Sequence, residues 1–342
     1  MARYNGIGET QTHRLWLGGL TLLLVLIGLS VLSIFIGTRA IAPDVTWQAI
    51  WQFDPTNNAH LLVHYLRLPR AALAVVVGAA LGLAGAVMQA LTRNPLADPG
   101  ILGVNAGATL AIVLGISLLG ISQVVDYVWL GLVGAALPGV ALYFLSGVKQ
   151  GGHPVRLVLS GAALSVVLLA LTQMITINSD ETVFNQFRHW AVGSLQGRGF
   201  AVLWPVLFLT VIGSALGCSL CAALNATSLG DEVSRSLGVN PKRITLLACV
   251  VIVVLSAAAT AAAGPISFVG LTAPHLARFI TGPDHRWLLP YTMLIAALLV
   301  QVADILGRVI GYPDEISVGI MVALLGGPFF VYLVRRWKIA QL

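Results

Sequence analysis

Several residues in this 342-residue chain have types and spacings that could do chemistry. Arg67 and Arg70 stand three apart at the head of an apolar run, so a helix there projects two guanidinium forks to similar sides of its first turn. Fixed, fully charged forks suit carboxylate partners, although the same pair also fits residues that snorkel at a helix end. In the polar stretch 224–243, Ser228 followed by Asp231 is an N-terminal cap pattern, Gly238 suits a left-handed C-terminal position, and Asn240-Pro241 stops any continuation. This predicts a short amphipathic helix with Leu229, Val233 and Leu237 on one side, serving as a solvated connector or as a helix that enters a partner's groove. His60 and His64 share a face if residues 59–65 are helical; imidazoles suit a metal or haem, but neither a third ligand nor the Glu of an HExxH pattern accompanies them. Cys218 and Cys221 have CxxC spacing without a second pair, and with Cys249 they read as small buried hydrophobes rather than metal ligands.

Two further observations narrow the chemistry. No phosphate-cradling GxxxxGK loop is present, since Lys149, Lys242 and Lys338 each follow a residue other than Gly. The chain therefore hydrolyses no ATP by that route. Ionisable groups are scarce inside the apolar runs, where Asp304 with Arg308 one turn on is the one pair close to burial. Ion-coupled secondary transporters keep such groups near the membrane midplane, so that alternative is disfavoured.

The elements that must hold these residues are membrane spans. Hydrophobic residues make up 58% of the chain and charged ones 9%, where about 25% charged is usual for a soluble domain. Mean hydropathy is +0.91. An ordinary water-soluble enzyme is excluded, and no soluble domain of useful size fits beside the apolar runs. The expected fold is an all-α polytopic membrane protein, one transmembrane domain over residues 1–342. Spans are expected near 15–37, 66–90, 101–120, 126–147, 156–178, 200–224, 244–263, 266–281, 287–307 and 316–334, about ten helices in all. The first is longer than a signal-peptide core and no small-residue cleavage site follows it, so it reads as a retained span. With alternating spans and an internal N-terminus, 13 of the 19 Lys and Arg fall on the inner side, which predicts both termini cytoplasmic. That placement makes nucleic acid a poor partner. Gly and Ala are dense in 77–85 and 257–264, which lets helix backbones approach closely. Trp47, Trp51, Trp129, Trp190, Trp204, Trp287 and Trp337 lie near span ends and read as interfacial anchors.

Four blocks, in order, carry a resemblance. Arg67-Leu-Pro-Arg70, residues 85–107 with Leu91-Thr-Arg-Asn-Pro-Leu-Ala-Asp-Pro-Gly100 at their centre, Leu229-Gly-Asp-Glu-Val-Ser-Arg-Ser-Leu-Gly-Val239, and Gly264-Pro-Ile-Ser-Phe-Val-Gly-Leu-Thr-Ala-Pro-His-Leu-Ala-Arg278 resemble the signature blocks of the FecCD family of ABC importer permeases. The similarity runs from the first span to Arg336. It implies a ten-helix ABC importer (type II) permease in the bacterial inner membrane, paired with a second permease subunit of the same or a different kind. A dimer of ATP-binding subunits would sit below and a periplasmic or extracellular binding protein above. Residues 226–241 match the family's ATPase-coupling segment, which implicates Ser228, Leu229, Gly230, Asp231, Glu232, Arg235, Leu237 and Gly238. Arg67, Arg70 and Arg308 match arginines that pair with glutamates of the binding protein. The fifth span lines the family's pathway and the loop before it gates it, here His153, Pro154 and Val155; these depart from the small hydroxyl residues of some relatives. His275 falls on the inner face, where it reads equally as a structural histidine. The blocks at 91–100 and 103–107, with Asp304-Ile-Leu-Gly-Arg-Val309, are most like ferric-enterobactin-type permeases, so a catecholate ferric siderophore leads as cargo over haem and vitamin B12. The resemblance implies a transport subunit without bond chemistry or a cofactor of its own.

Overall fold

A computed structural model describes residues 6–121, 124–145 and 154–336. Its regular structure is helical throughout: α1 (Gly6–Phe35), α2 (Pro43–Trp51), α3 (Asn58–Leu62), α4 (Leu68–Thr92), α5 (Val104–Leu119), α6 (Val124–Leu145), α7 (Pro154–Ile177), α8 (Glu181–Ala191), α9 (Phe200–Ser219), α10 (Cys221–Ser228), α11 (Asp231–Ser236), α12 (Pro241–Ala263), α13 (Val269–Thr281), α14 (His285–Ile310) and α15 (Val318–Arg336). A π-helical turn, Val63–Arg67, joins α3 to α4, and a 3-10 turn, Pro99–Leu102, leads into α5.

Seven described helices are long and apolar enough to cross a bilayer, and α5 and α15 are shorter apolar helices. The expected span at 266–281 begins differently from the others. α13 has 13 residues, about 20 Å of rise, which alone is too short for a bilayer core of about 30 Å. The chain reaches it through non-helical backbone at 264–268, with Gly264 and Phe268 at positive φ. Such backbone survives at membrane depth only when protein surrounds it; here the Ser194 N–H donates to the Ala263 carbonyl at 2.7 Å, and Gly264 packs on the Trp190 carbonyl.

α4 is the central post. Of its apolar window 83% is buried, against 11% for α1 and 17% for α7. Gly78 and Gly82 let it lie directly on the α14 backbone at Ala296 and Thr292, and at Gly85 it touches the Gly270 carbonyl of α13. The alanine-rich end of α12, Ala257–Ala263, is buried against the same core. α1 and α7 are peripheral: exposed leucines, valines and isoleucines ring both, as lipid or a second subunit requires.

Two expectations are corrected. Ser228 does not cap the polar helix. It is the last residue of α10, where its hydroxyl donates to the Asn225 carbonyl at 2.7 Å, and α11 starts three residues later behind Gly230 at φ 105. The competition of the serine hydroxyl for its own helix decides the boundary. Trp190 is not an interfacial anchor. It is 2% exposed because α8 folds back onto the bundle, whereas Trp47, Trp51, Trp129 and Trp204 are exposed as expected. Trp337 lies outside the described residues.

Candidate functional site

Three places gather the polar chemistry. The first is where α1 ends and α4 begins. Arg70 Nη2 meets Asp304 Oδ1 at 2.8 Å, its Nε spans both Asp304 oxygens at 3.0 and 3.2 Å, and its Nη1 meets Glu315 Oε2 at 2.7 Å. Arg308 Nη2 holds the other Asp304 oxygen at 2.9 Å. Asp304 is fully buried, and its helix supplies Arg308 one turn on, as the sequence suggested; Glu315 comes from the loop after α14. The rest of Arg308 serves α1, donating to the Ser33 carbonyl at 2.8 Å and to the Ile36 carbonyl. Arg67 does the same, donating to the Ile34 and Phe35 carbonyls at 3.1 and 3.2 Å and to the Arg39 carbonyl. The last carbonyls of a helix have no partner within it, and inside a bilayer no water supplies one. Arg67 and Arg308 are thus the cap of α1.

The two arginines at spacing three do not act as a pair. The π-helical turn that ends at Arg67 sends its side chain to α1, and Arg70 turns to α14. Around them lies a depression of about 170 Å³ whose walls include Arg39, Arg67, Arg70, Arg308 and Glu315. Glu315 was not anticipated, and only its place after a Gly-Tyr-Pro turn, residues 311–313, hints at a fixed loop. His60 and His64 lie nearby on helical backbone. His60 Nδ1 accepts the Asp54 N–H at 3.1 Å, and His64 stacks on Phe53 with ring centres 4.6 Å apart. Both pack locally, and among the described residues no third metal-ligating side chain joins them.

The second place is a cavity of about 660 Å³ between α5, α7 and α8, with Pro265 in its wall. Its polar lining is neutral: Asn105 and Thr109 from α5 and Ser165, Thr172, Gln173 and Thr176 from α7, facing Phe184 and Phe187 of α8. Asn105 is fixed by the Thr260 hydroxyl at 2.7 Å. Positions 165, 169, 172, 173 and 176 form one stripe of a helix, a periodicity that was available in the sequence. Of the expected gate residues, His153 lies outside the described residues, Pro154 opens α7, and Val155 is 56% exposed beside it.

The third place is at the opposite end of α4 and α14. Asn225 of α10 donates to Asp284 Oδ1 at 2.6 Å and accepts the His285 N–H at 3.0 Å, which ties α10 to the start of α14. Burial pushes the Asp284 carboxyl upward, but the Arg286 N–H and the Asn225 amide outweigh it and hold the group below the usual carboxylate range. Arg93, itself in a left-handed conformation at the end of α4, donates to the Thr227 carbonyl at 2.9 Å. His275 Nε2 donates to the Pro95 carbonyl at 2.9 Å, the structural reading of that histidine. From this braced platform α11 projects. Leu229, Val233 and Leu237 are 63%, 44% and 61% exposed, Glu232 and Arg235 are exposed beside them, and Gly238 takes the expected positive φ. Ser234 is the buried foot of the helix.

The FecCD transport family model matches residues 22–336. The chain is 43% identical over 317 residues to the ferric enterobactin transport system permease protein FepD of Escherichia coli (strain K12), covering 92% of this chain and 94% of that protein. It is 38% identical over 332 residues to the hemin transport system permease protein HmuU of Yersinia pestis, covering 95% and 96%. A solved inward-facing conformation of a metal-chelate type ABC transporter superposes with a TM-score of 0.82 at 30% identity, covering 93% of this chain and 99% of that one.

Proposed function

The chain belongs to the FecCD transport family, and from that premise we propose that it is the permease subunit of an ATP-driven importer that moves a ferric siderophore across the bacterial inner membrane. One transmembrane domain spans the whole chain in this reading, both termini are cytoplasmic, and a second permease subunit completes the pathway. A catecholate siderophore is the preferred cargo, with haem and vitamin B12 as the other cargoes of the family. The observation that carries the reading is the segment around α11: the exposed apolar residues Leu229, Val233 and Leu237, in and on either side of a six-residue helix, standing on a platform of hydrogen bonds from α4, α10 and α14.

Residues 226–241 are assigned to coupling. Leu229, Val233 and Leu237 enter a cleft of the ATP-binding subunit, Asp231, Glu232 and Arg235 set its register, and Gly230 and Gly238 end the helix at both sides; Ser228 belongs to the supporting helix. Apolar rows on short helices bind in this way, and closure of the ATP-binding dimer then pulls on α10, which Asn225 links to α14. Reversing Asp231 and Glu232 to Lys should lower ATP-driven uptake of the chelate while leaving the chain folded in the membrane. Unchanged uptake and unchanged ATPase assembly would remove this assignment.

Arg67, Arg70 and Arg308 are assigned to docking of the binding protein; with Arg39, four guanidinium groups against the Asp304 and Glu315 carboxylates leave the depression net positive. Because Asp304 is buried in a helix and Glu315 sits on a loop, an incoming carboxylate competes with Glu315 for Arg70 Nη1. Glu315→Gln should therefore tighten receptor binding, and Arg67→Glu with Arg70→Glu should weaken it in a salt-dependent way; receptor affinities unmoved in both variants, measured in nanodiscs, would exclude the assignment. His153, Pro154 and Val155 are assigned to the cytoplasmic gate at the foot of α7. Uptake of labelled iron from a panel of siderophores, haem and cobalamin, in cells lacking this chain and complemented with it, tests the cargo.

A further inference from the structure

A groove of about 300 Å³ opens on the side of the bundle between α6, α7 and α12. Val140 and Phe144 of α6, Leu157 of α7, and Leu246, Val250 and Val253 of α12 line it, and its remaining walls are apolar too. Its floor is the tight contact of Gly139 with Val253, where an added Cβ would stand 2.8 Å from that side chain. None of the pathway's polar residues reaches it.

The α12 row has helical spacing, and its next positions toward the α11 end, four and three residues before Leu246, are Lys242 and Arg243. Arg156 adjoins Leu157 at the start of α7. All three cations are exposed, and none takes part in a described salt bridge. An apolar groove thus runs along the bundle, and beyond its Leu246 and Leu157 ends the chain carries three exposed cations on two helices, none in a salt bridge among the described residues.

We infer that this groove is a binding site for an anionic phospholipid, with one acyl chain between α6 and α12 and the phosphate at Arg156, Lys242 and Arg243. Hydrocarbon occupies the groove because it offers no hydrogen-bond partner to anything polar. Basic pockets between membrane helices select anionic headgroups. A second copy of this chain fits less well, since two-fold pairing over the groove would set the same three cations against each other. The site depends on the chain spanning a membrane and not on the identity of its cargo.

The test is native mass spectrometry of the full-length chain, delipidated in detergent and titrated with phosphatidylglycerol or phosphatidylcholine of matched acyl chains. Phosphatidylglycerol should be retained preferentially, by roughly fivefold for each cation engaged. Arg156→Gln with Lys242→Gln and Arg243→Gln should abolish the preference and spare phosphatidylcholine binding. Val250→Trp, which leaves the cations in place and fills the groove, should lower retention of both lipids. Equal retention of the two lipids by the unmodified chain would overturn the inference. So would a preference that survives the triple neutralisation, displacement of the lipid by equimolar inorganic phosphate, or efficient Cys249 cross-linking between two copies in the membrane.

Discussion

Asp304 ties the start of α4 to the end of α14 through a single buried side chain. Both of its oxygens receive Arg70, Oδ2 also holds Arg308, and its side chain has no exposed surface. Removing one partner of a buried ion pair leaves uncompensated charge and costs roughly 3–5 kcal/mol. Asp304→Asn should therefore lower the thermal midpoint of the purified chain sharply, whereas Glu315→Gln, at the partly open rim, should move it little. Equal midpoints for the two variants would show that the buried carboxylate is not the keystone. The sequence exposed part of this arrangement: a lone carboxylate within an apolar run, one turn from an arginine, is legible because charge at that depth must be paired. The destination of Arg67 was not legible. Its partners are backbone carbonyls about thirty residues away, and no side-chain pattern announces a carbonyl that lacks a hydrogen bond.

Helix contacts in this bundle are made by absence of side chains. At Gly85 of α4 an added Cβ would lie 2.0 Å from the Gly270 carbonyl, a backbone atom with no rotamer to relieve the clash. Gly85→Ala should cost at least about 1–3 kcal/mol as an overpacking change, while Gly28→Ala in α1, where nothing lies within 4 Å, should be neutral or better. Thermal unfolding of the two variants side by side checks the contrast. The long apolar helices were readable from composition alone, since length and hydropathy suffice to specify a span. The breaks between elements were not. The start of α11 is set by Gly230 and not by the better-looking cap at Ser228, and the irregular entry to α13 is stable only because the end of α8 and the loop after it, residues 190–194, pack around it, a tertiary fact.

Across the whole molecule, the two braced ends are joined by α4 and α14, and the neutral cavity lies beside them between α5, α7 and α8. A pathway that must release a bulky chelate benefits from small uncharged hydrogen-bonding groups, which recognise without gripping. Thr172→Trp, in the middle of the α7 stripe, should block chelate uptake while ATP turnover by the assembled transporter persists. If uptake continues at the normal rate, the cargo passes elsewhere. The α7 stripe could have been read from spacing, but its opposite wall could not, because Phe184 and Phe187 belong to α8, which the apolar pattern passes over.

The manner in which α1 is finished has a consequence for biogenesis. Its closing carbonyls at residues 33–36 are satisfied by Arg67 and by Arg308, the latter made 275 residues after Ser33. During synthesis the helix must therefore wait at the edge of the translocon or in lipid with part of its end unsealed, and it locks into place only when the segment bearing Arg308 has been inserted.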